Sequence, residues 1–443
     1  MTSIPQVAKV LRTVLTTTAN RAARATRFVQ RRSKLSGAKF VQTLVFGWLA
    51  NPAATYEELA QTAATLGVKI TAQGLEQRFT EAAAQCVERV LQAAVRHVIA
   101  AAPVAIPLLQ RFSAVYVDDS TQVQLPAVLA EVWAGSGGGA RAEDQTAALK
   151  LQVRLDLKRG QLRGPFVQAG RASDRTSPTQ HAPLPAGSLR LADLGYFALA
   201  VLQTIAQQQA YWLTRLMAGT QVAEAHGQVL DLVAWLTAHG PAVVDRPVCL
   251  GVQHPVPCRL IAVRVPQEVA NQRRRKLHAE ARRRGQAVSQ ERVRLADWTL
   301  FCTNVPPDLL SGPEVLVVAR VRWQIELVFK LWKSAGHLAH SRSDKPWRVL
   351  GEVYAKLLGL LMQHWVMVTS LWRYPDRSAW KAAQTLRKHA LHLASAFVAG
   401  LAALSAALQV VQRTLAAGCR LNKRKKVPST FQLLLALTEE KLA

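Results

Sequence analysis

The sequence predicts an α/β fold: a mixed sheet carrying a β-rich insertion, with helical N- and C-terminal regions. Three observations support it. Short β-rich runs alternate with helical patterns between about Ala114 and Gln208. The stretch from about Tyr211 to Pro306 changes to β-like runs around a block of arginines, and apolar residues at helical spacing dominate both ends. Read as domains, these are a helical region at 1–105, a core divided between 106–210 and 307–372, an insertion at 211–306 and a helical region at 373–443. A chain of 443 residues, half of them apolar, is long enough for such parts to bury cores of their own.

Taken in order, the string TYEELAQTAATLGVKITAQGLEQRF from Thr55 to Phe79 has helical spacing, a break at Gly67 and a capping threonine at Thr71. This is the outline of a helix-turn-helix and equally of an ordinary helical hairpin; Arg31, Arg32 and Lys34 nearby favour phosphate contact. Ala114 to Val117 reads as a short strand ending on the acidic pair Asp118 and Asp119. Leu149 to Leu157 and Leu162 to Gln168 read as strands joined through Arg159 and Gly160 in a hairpin. Leu189 to Leu191, then Asp193, lead into an apolar helix from Tyr196 to about Gln208. Acidic residues therefore fall at the carboxyl ends of strands, where open α/β sheets place their sites.

Further β-like runs at Val248 to Cys249, Leu260 to Val265 and Trp298 to Cys302 surround a basic segment. It holds Arg273, Arg274, Arg275, Lys276, Arg282, Arg283, Arg284, Arg292 and Arg294 against only Glu280 and Glu291. One long amphipathic helix is expected from about Glu314 to Ala335. Leu357 to Leu371 is apolar but contains Gln363 and His364 and is too short to span a bilayer, so it reads as a buried helix. A basic run, RLNKRKK, occupies Arg420 to Lys426. The glycine run Gly135 to Gly139 lacks the Gly-Lys-Ser/Thr ending of a phosphate-binding loop and reads as a flexible turn.

Fifty-six Lys and Arg against 28 Asp and Glu leave a formal charge of +28, which a folded chain sustains best with a polyanion as partner. Nucleic acid is the favoured partner; the rivals are a ribosome-associated or heparin-like binder and a composition skewed toward arginine. Cys86, Cys249, Cys258, Cys302 and Cys419 show no zinc spacing and suit a reducing compartment. Arg12, Arg21, Arg24 and Arg27 interrupt any apolar leader, so a cytoplasmic protein associated with the nucleoid, and no membrane, is expected.

Phosphodiester chemistry with two metal ions needs hard oxygen ligands holding the ions about 4 Å apart, and carboxylates from separate elements supply them. Asp119, Asp193 and Glu326 are the candidates, with Mg²⁺ as the ion and Mn²⁺ as a substitute. In RVRWQIELVFKLWK the i, i+4 and i+11 spacing of Arg322, Glu326 and Lys333 puts them on one helical face. Singly, each carboxylate has a plainer role: Asp119 in a turn, Asp193 as a helix cap, Glu326 as a partner of Arg322 or Lys330.

The strings VDDSTQVQLP with AGSGGG, RLADLGYF and RVRWQIELVFKLWK resemble the three catalytic blocks of the DDE transposases of family four of the bacterial insertion sequences. The resemblance runs from about Ala114 to Leu371, and the last three members of that family's Tyr, Arg, Glu, Lys signature fall on Arg322, Glu326 and Lys333. Ala319 stands at the Tyr position, a departure from the pattern. The resemblance implies a ribonuclease-H-like catalytic core in which Asp119, rather than Asp118, and Asp193, rather than Asp174, join Glu326 as catalytic and metal-binding residues. It implies a β-rich insertion between Asp193 and Glu326, where Trp298 resembles the aromatic on which a flipped base stacks; a core aromatic beginning a strand is the other reading of Trp298. Arg322 and Lys333 would grip phosphates beside the cut, and Arg273, Arg274, Arg275, Arg282, Arg283 and Arg284 would add salt-dependent affinity.

The activity implied is cleavage of transposon terminal inverted repeats, through a hairpin at the transposon end, and joining to target DNA by a homodimer on DNA. The rivals are a ribonuclease-H-fold nuclease that does not join strands and a non-catalytic DNA-binding repressor derived from a transposase.

Overall fold

The computed structural model describes all residues except 32, 137–145, 225, 240–242, 342, 423–429 and 440–443. Arg32, Gly137 to Gly139 of the glycine run and Lys423 to Lys426 of the basic run therefore lie outside the described residues. The helices are, in chain order, α1 (Ile4–Arg12), α2 (Ala19–Ala25), α3 (Gly37–Ala50), α4 (Tyr56–Thr65), α5 (Ala72–Glu76), α6 (Glu81–Ala94), α7 (Pro107–Gln110), α8 (Leu199–Gln207) and α9 (Leu232–Ala238). They continue with α10 (Gln267–Arg283), α11 (Gln290–Leu295), α12 (Gly312–Val321), α13 (Trp323–Lys330), α14 (Pro346–Leu371), α15 (Ala379–Lys388), α16 (Ala390–Ala399), α17 (Leu401–Ala417) and α18 (Thr430–Glu439). The strands are β1 (Val115–Leu125), β2 (Ala147–Asp156), β3 (Leu162–Ala169), β4 (Leu189–Ala192), β5 (Tyr211–Arg215), β6 (Val222–Ala223), β7 (Val244–Leu250), β8 (Val256–Arg264) and β9 (Trp298–Thr303).

The chain divides into two compact units, one from Met1–Ala105, Asp119–Ala172 and Gln324–Phe431, the other from Ile106–Asp118, Ser173–Trp323 and Gln432–Ala443. In the first unit the early helices start on side-chain caps: Ser3 and Thr55 form capping boxes with Gln6 and Glu58, and Ser36, Thr71 and Thr80 accept from backbone N–H groups. The predicted second helix after Gly67 is only the five residues of α5. α14 is buried along nearly its whole 26 residues, packed by α3, α6 and α17, which explains a helix apolar on every side. It contains the buried run predicted at Leu357 to Leu371, and no helix among the described residues is long and apolar enough to cross a membrane.

Also in this unit, β2 and β3 form the predicted antiparallel hairpin. Gly160 has φ +68°, and a Cβ there would meet the Trp372 ring at 2.5 Å, so the turn requires glycine twice over. The turn is fixed from α14: His364 bonds the Gly160 carbonyl at 2.8 Å, and Trp372 Nε1 donates to the Leu157 carbonyl at 3.0 Å.

β1 corrects the sequence reading. It runs on through the acidic pair to Leu125, where Asp119, Thr121, Val123 and Leu125 alternate with the more exposed Ser120, Gln122 and Gln124 at the strand period. Its first half pairs in parallel with β4 in the second unit, and β4 pairs in parallel with β5; in the first unit β2 lies between β3 and β1. The orders β3-β2-β1 and β1-β4-β5 are those of a ribonuclease-H-like core.

The second unit continues its sheet from β5 through β9, β8, β7 and β6, all antiparallel. The insertion is therefore β-rich as expected, but its strands extend the core sheet, and β5 at its expected beginning belongs to the parallel core. Trp212, Leu236, Leu250, Leu260 and Trp298 bury together beneath α8 and α9. The arginine block is helical, α10 and α11, since Gln267–Arg283 is rich in Arg, Ala, Glu and Gln and free of Gly and Pro.

The helix expected from Glu314 to Ala335 is three pieces. α12 stops at Val321, α13 starts at Trp323, and Leu331–Ala335 is a π-helical turn in which Gly336 N–H bonds the Leu331 carbonyl at 3.0 Å. No proline or glycine marks the break at Arg322. The wider π turn shifts Lys333 from the face that uniform α-helical spacing gives it.

Candidate active site and nucleic-acid interface

Successive residues of a strand face opposite ways, so Asp118 and Asp119 have different surroundings. Asp118 is fully buried and accepts from Arg190 Nε at 2.6 Å. Arg190 also donates to Gln180 Oε1 at 2.6 Å and lies 5.7 Å over the Tyr196 ring, while Gln180 Nε2 donates to the Tyr196 carbonyl at 2.9 Å. A buried charge needs such a partner, and this one is neutralised within its own unit. Nothing in the sequence points to Gln180. Asp119 is 9% exposed, and its Oδ1 accepts from the Ser120 N–H at 2.8 Å.

The parallel register sets Asp118 level with Ala192, the residues immediately before Asp119 and Asp193. Asp193 is exposed and extended and opens the 3-10 turn Leu194–Tyr196; its side chain makes no capping bond, so the simple cap role fails on geometry. The apolar helix expected from Tyr196 starts only at Leu199. Asp174 opens its own 3-10 turn, Asp174–Thr176. Its carboxylate presses on the turn after Asp193, where a Cβ on Gly195 would lie 2.4 Å from Asp174 Oδ2.

Glu326 is half-buried on α13, between buried Ile325 and exposed Leu327. Arg322 is half-buried at the break between α12 and α13; Lys333 is exposed in the π turn, yet desolvation still lowers its pKa. The end of that turn is gripped from two helices, because Arg387 donates to the Ala335 carbonyl at 2.5 Å and Lys356 to the His337 and His340 carbonyls at 3.1 and 2.8 Å. Lys356 is buried and paired with Glu352 at 2.7 Å. The Glu352 and Lys356 pair, four residues apart in a largely apolar stretch, was the signal for it that the sequence reading missed.

Trp298 requires a correction. It is 8% exposed within the apolar cluster of the second unit, so the core reading fits and no face is open to a base. Arg273 and Arg274 also require one. Arg273 donates to the Trp298 carbonyl and the Thr299 hydroxyl, each at 2.8 Å, and Arg274 pairs with Asp297 and bonds Asn271 Oδ1 at 2.9 Å. Folding supplies partners that a count of nearby acids leaves out. Arg275, Lys276, Arg282, Arg283 and Arg284 remain exposed, with no acidic partner among the described residues. Arg275, His278 and Arg282 share one face of α10, lining an open groove of about 470 Å³ with Asn271 and Arg274.

Three carboxylates are a suitable donor set for a hard divalent cation. Among the described residues no three His, Cys, Asp or Glu side chains are grouped to hold an ion as they stand; Asp119 and Glu326 belong to the first unit and Asp193 to the second.

The family model described as the transposase DDE domain matches residues 111–362, more than half of the chain. The chain belongs to that family. The transposase for insertion sequence element IS231F of Bacillus thuringiensis subsp. israelensis is 26% identical over 364 residues, covering 77% of this chain and 75% of that protein. The putative transposase InsL for insertion sequence element IS186A of Escherichia coli (strain K12) is 38% identical over 125 residues, 28% of this chain and 34% of that one. The piggyBac transposase, in a synaptic complex with hairpin DNA, aligns over 97% of this chain and 87% of its own at 7% identity with a TM-score of 0.46, a likeness too loose to argue from. The protein is thus a DDE transposase related to those of bacterial insertion sequences. Its family implies DNA as partner and dependence on a divalent cation.

Proposed function

We propose that Asp119, Asp193 and Glu326 are the catalytic carboxylates of this transposase and together hold Mg²⁺, with Mn²⁺ able to substitute. The observation that carries the reading is the β1/β4 register, which sets Asp118 level with Ala192, combined with the Asp118–Arg190 pair. That pair commits Asp118 to the fold and leaves Asp119 as the carboxylate of the strand that can serve chemistry. When bound, the metal activates the attacking oxygen and offsets charge on the scissile phosphate. Arg322 and Lys333 hold phosphate oxygens beside the cut; with Ala319 offering no hydroxyl, these two cations carry that contact.

The transposase cleaves terminal inverted repeats, through a hairpin at the transposon end, and the freed 3′ hydroxyl attacks target DNA. No covalent bond to the protein forms. Two ends held together call for a homodimer on DNA, in the cytoplasm at the nucleoid. Residues 1–105 act as the helical DNA-binding domain, 106–210 with 307–372 as the catalytic core, 211–306 as the insertion with its exposed arginines on phosphate, and 373–443 as the helical C-terminal region.

The test uses Asp119→Asn, Asp193→Asn and Glu326→Gln on a duplex carrying the element's end. Each variant is expected to bind that duplex and not nick it; a variant that nicks normally removes its residue from the site. A strand-transfer assay with pre-cleaved ends separates joining from hydrolysis alone.

A further inference from the structure

Residues 1–56 contain Lys9, Arg12, Arg21, Arg24, Arg27, Arg31, Arg32, Lys34 and Lys39 and not one Asp or Glu. Two of these cations are used by the fold. Arg12 donates to the Phe397 carbonyl at 2.7 Å and lies 5.3 Å from the Phe397 ring centre, and Lys39 donates to the Leu66 carbonyl at 2.6 Å. Arg21, Arg24, Arg27, Arg31 and Lys34 are exposed, and none pairs with an acid among the described residues. Resting on the reading of DNA as the partner, we infer that the N-terminal helices meet the DNA phosphate backbone through the exposed face of α2 and the turn after it, and not through the helix-turn-helix outline of α4 and α5.

The local structure presents this face. Ala19, Ala22 and Ala23 bury one side of α2, which leaves Arg21 and Arg24 one helical turn apart on the other. The Thr26 hydroxyl bonds the Ala22 carbonyl at 3.0 Å and Val29 N–H bonds the Ala23 carbonyl at 3.1 Å, closing the helix end. Arg27 sits at that end with φ +59°, a left-handed position where helices ordinarily use glycine. A large side chain there costs on the order of 1 kcal/mol, and the position sets the exposed guanidinium at the end of α2 beside Arg24. Attraction to the helix C-terminus accounts for cations in its last turn only, and Arg31 and Lys34 lie beyond it.

The rival surface carries no excess of positive charge, even counting Arg348 and Lys345, which pair with Glu76 at 2.8 and 3.9 Å. From Thr55 to Glu81 the chain holds Glu57, Glu58, Glu76 and Glu81 against Lys69 and Arg78, a net of 2 − 4 = −2. α5, with five residues, is also too short to follow a major groove.

The experiment matches charge for charge. Arg21→Gln/Arg24→Gln and Lys69→Gln/Arg78→Gln each remove two positive charges from the full-length protein, and binding to a short duplex from the end of the element is titrated at several salt concentrations. The α2 variant is expected to bind at least about tenfold more weakly, with the log–log salt slope reduced by roughly one to two, and the second variant to stay within about twofold of the parent. Equal losses for both pairs, or a larger loss for the second, overturn the inference. Unchanged thermal unfolding of both separates lost contact from lost fold. If the parent itself does not bind duplex DNA, the underlying DNA reading fails; if the parent binds and the α2 variant equals it, only this inference does.

Discussion

Asp118 and Asp119 are covalent neighbours with opposite commitments. Asp118 lies at the end of the half of β1 that belongs to the second unit, fully buried and locked to Arg190. Asp119 begins the half that belongs to the first unit, 9% exposed, with its Oδ1 accepting from the Ser120 N–H at 2.8 Å. One residue step along a strand separates a charge locked into the fold from the one proposed above to be catalytic. The same division separates Arg274, which pairs with Asp297, from Arg275, which is exposed with no acidic partner among the described residues. The difference teaches that an ionisable group's role follows from whether its own unit already neutralises it.

The largest effect expected is at Asp119. Asp119→Asn should lower the rate of end nicking by about 10³-fold or more, the scale of losing a group that stabilises transition-state charge, with unfolding unchanged. Nicking at the parental rate would erase the distinction between the two aspartates. Asp118→Ala should instead cost about 3–5 kcal/mol in denaturant unfolding by stranding Arg190, while whatever folds still nicks. Replacing both partners, Asp118→Leu with Arg190→Met, should recover much of that loss; no recovery would mean that Asp118 does more than pair.

His364 extends the comparison to a buried titratable group of the fold. Burial lowers its pKa from 6.5 to about 4, only partly opposed by the Gly160 carbonyl it bonds. The unfolded imidazole takes up a proton near pH 6.5 and the folded one only near 4, so stability present above pH 6.5 is lost as pH falls toward 4. The loss reaches roughly 3 kcal/mol at about 1.4 kcal/mol per pH unit. Urea midpoints measured across that window should fall in the parent and flatten in His364→Gln. The smallest effect is on α10, where Arg275→Gln should reduce the salt slope of DNA binding by roughly one and leave unfolding within about 0.5 kcal/mol. Arg274→Gln should do the reverse, and a shared outcome would dissolve the pairing-based distinction between them.

Much of the architecture was legible in the sequence because it rests on local rules. The Arg159–Gly160 turn, the strands on either side of it and the buried stretch within α14 follow from turn chemistry and periodicity. What was not legible depends on contacts distant in sequence. β1 was cut short because charged residues look like a strand end until the fold shows what neutralises them. Trp298 could be stacking platform or core until the cluster around Trp212 closed over it. The helix break at Arg322 and the π turn carry no proline or glycine to announce them. For the candidate site, the sequence and its family resemblance offered Asp119, Asp193 and Glu326 as candidates, and the structure describes the surroundings of each.

The first unit is assembled from three stretches of chain, the last beginning at Gln324. Its central helix, α14, therefore leaves the ribosome long after the helices that must cover it. With 346 − 94 = 252 residues from the end of α6 to the start of α14, synthesis at about 5–20 residues per second leaves roughly 13–50 s during which α3 and α6 have no α14 to pack against. Such contacts, distant in sequence, make for slow closure and a nascent chain with exposed apolar faces that chaperones recognise. A polypeptide released before α14 is made therefore exposes the apolar faces of α3 and α6 and is prone to misfold.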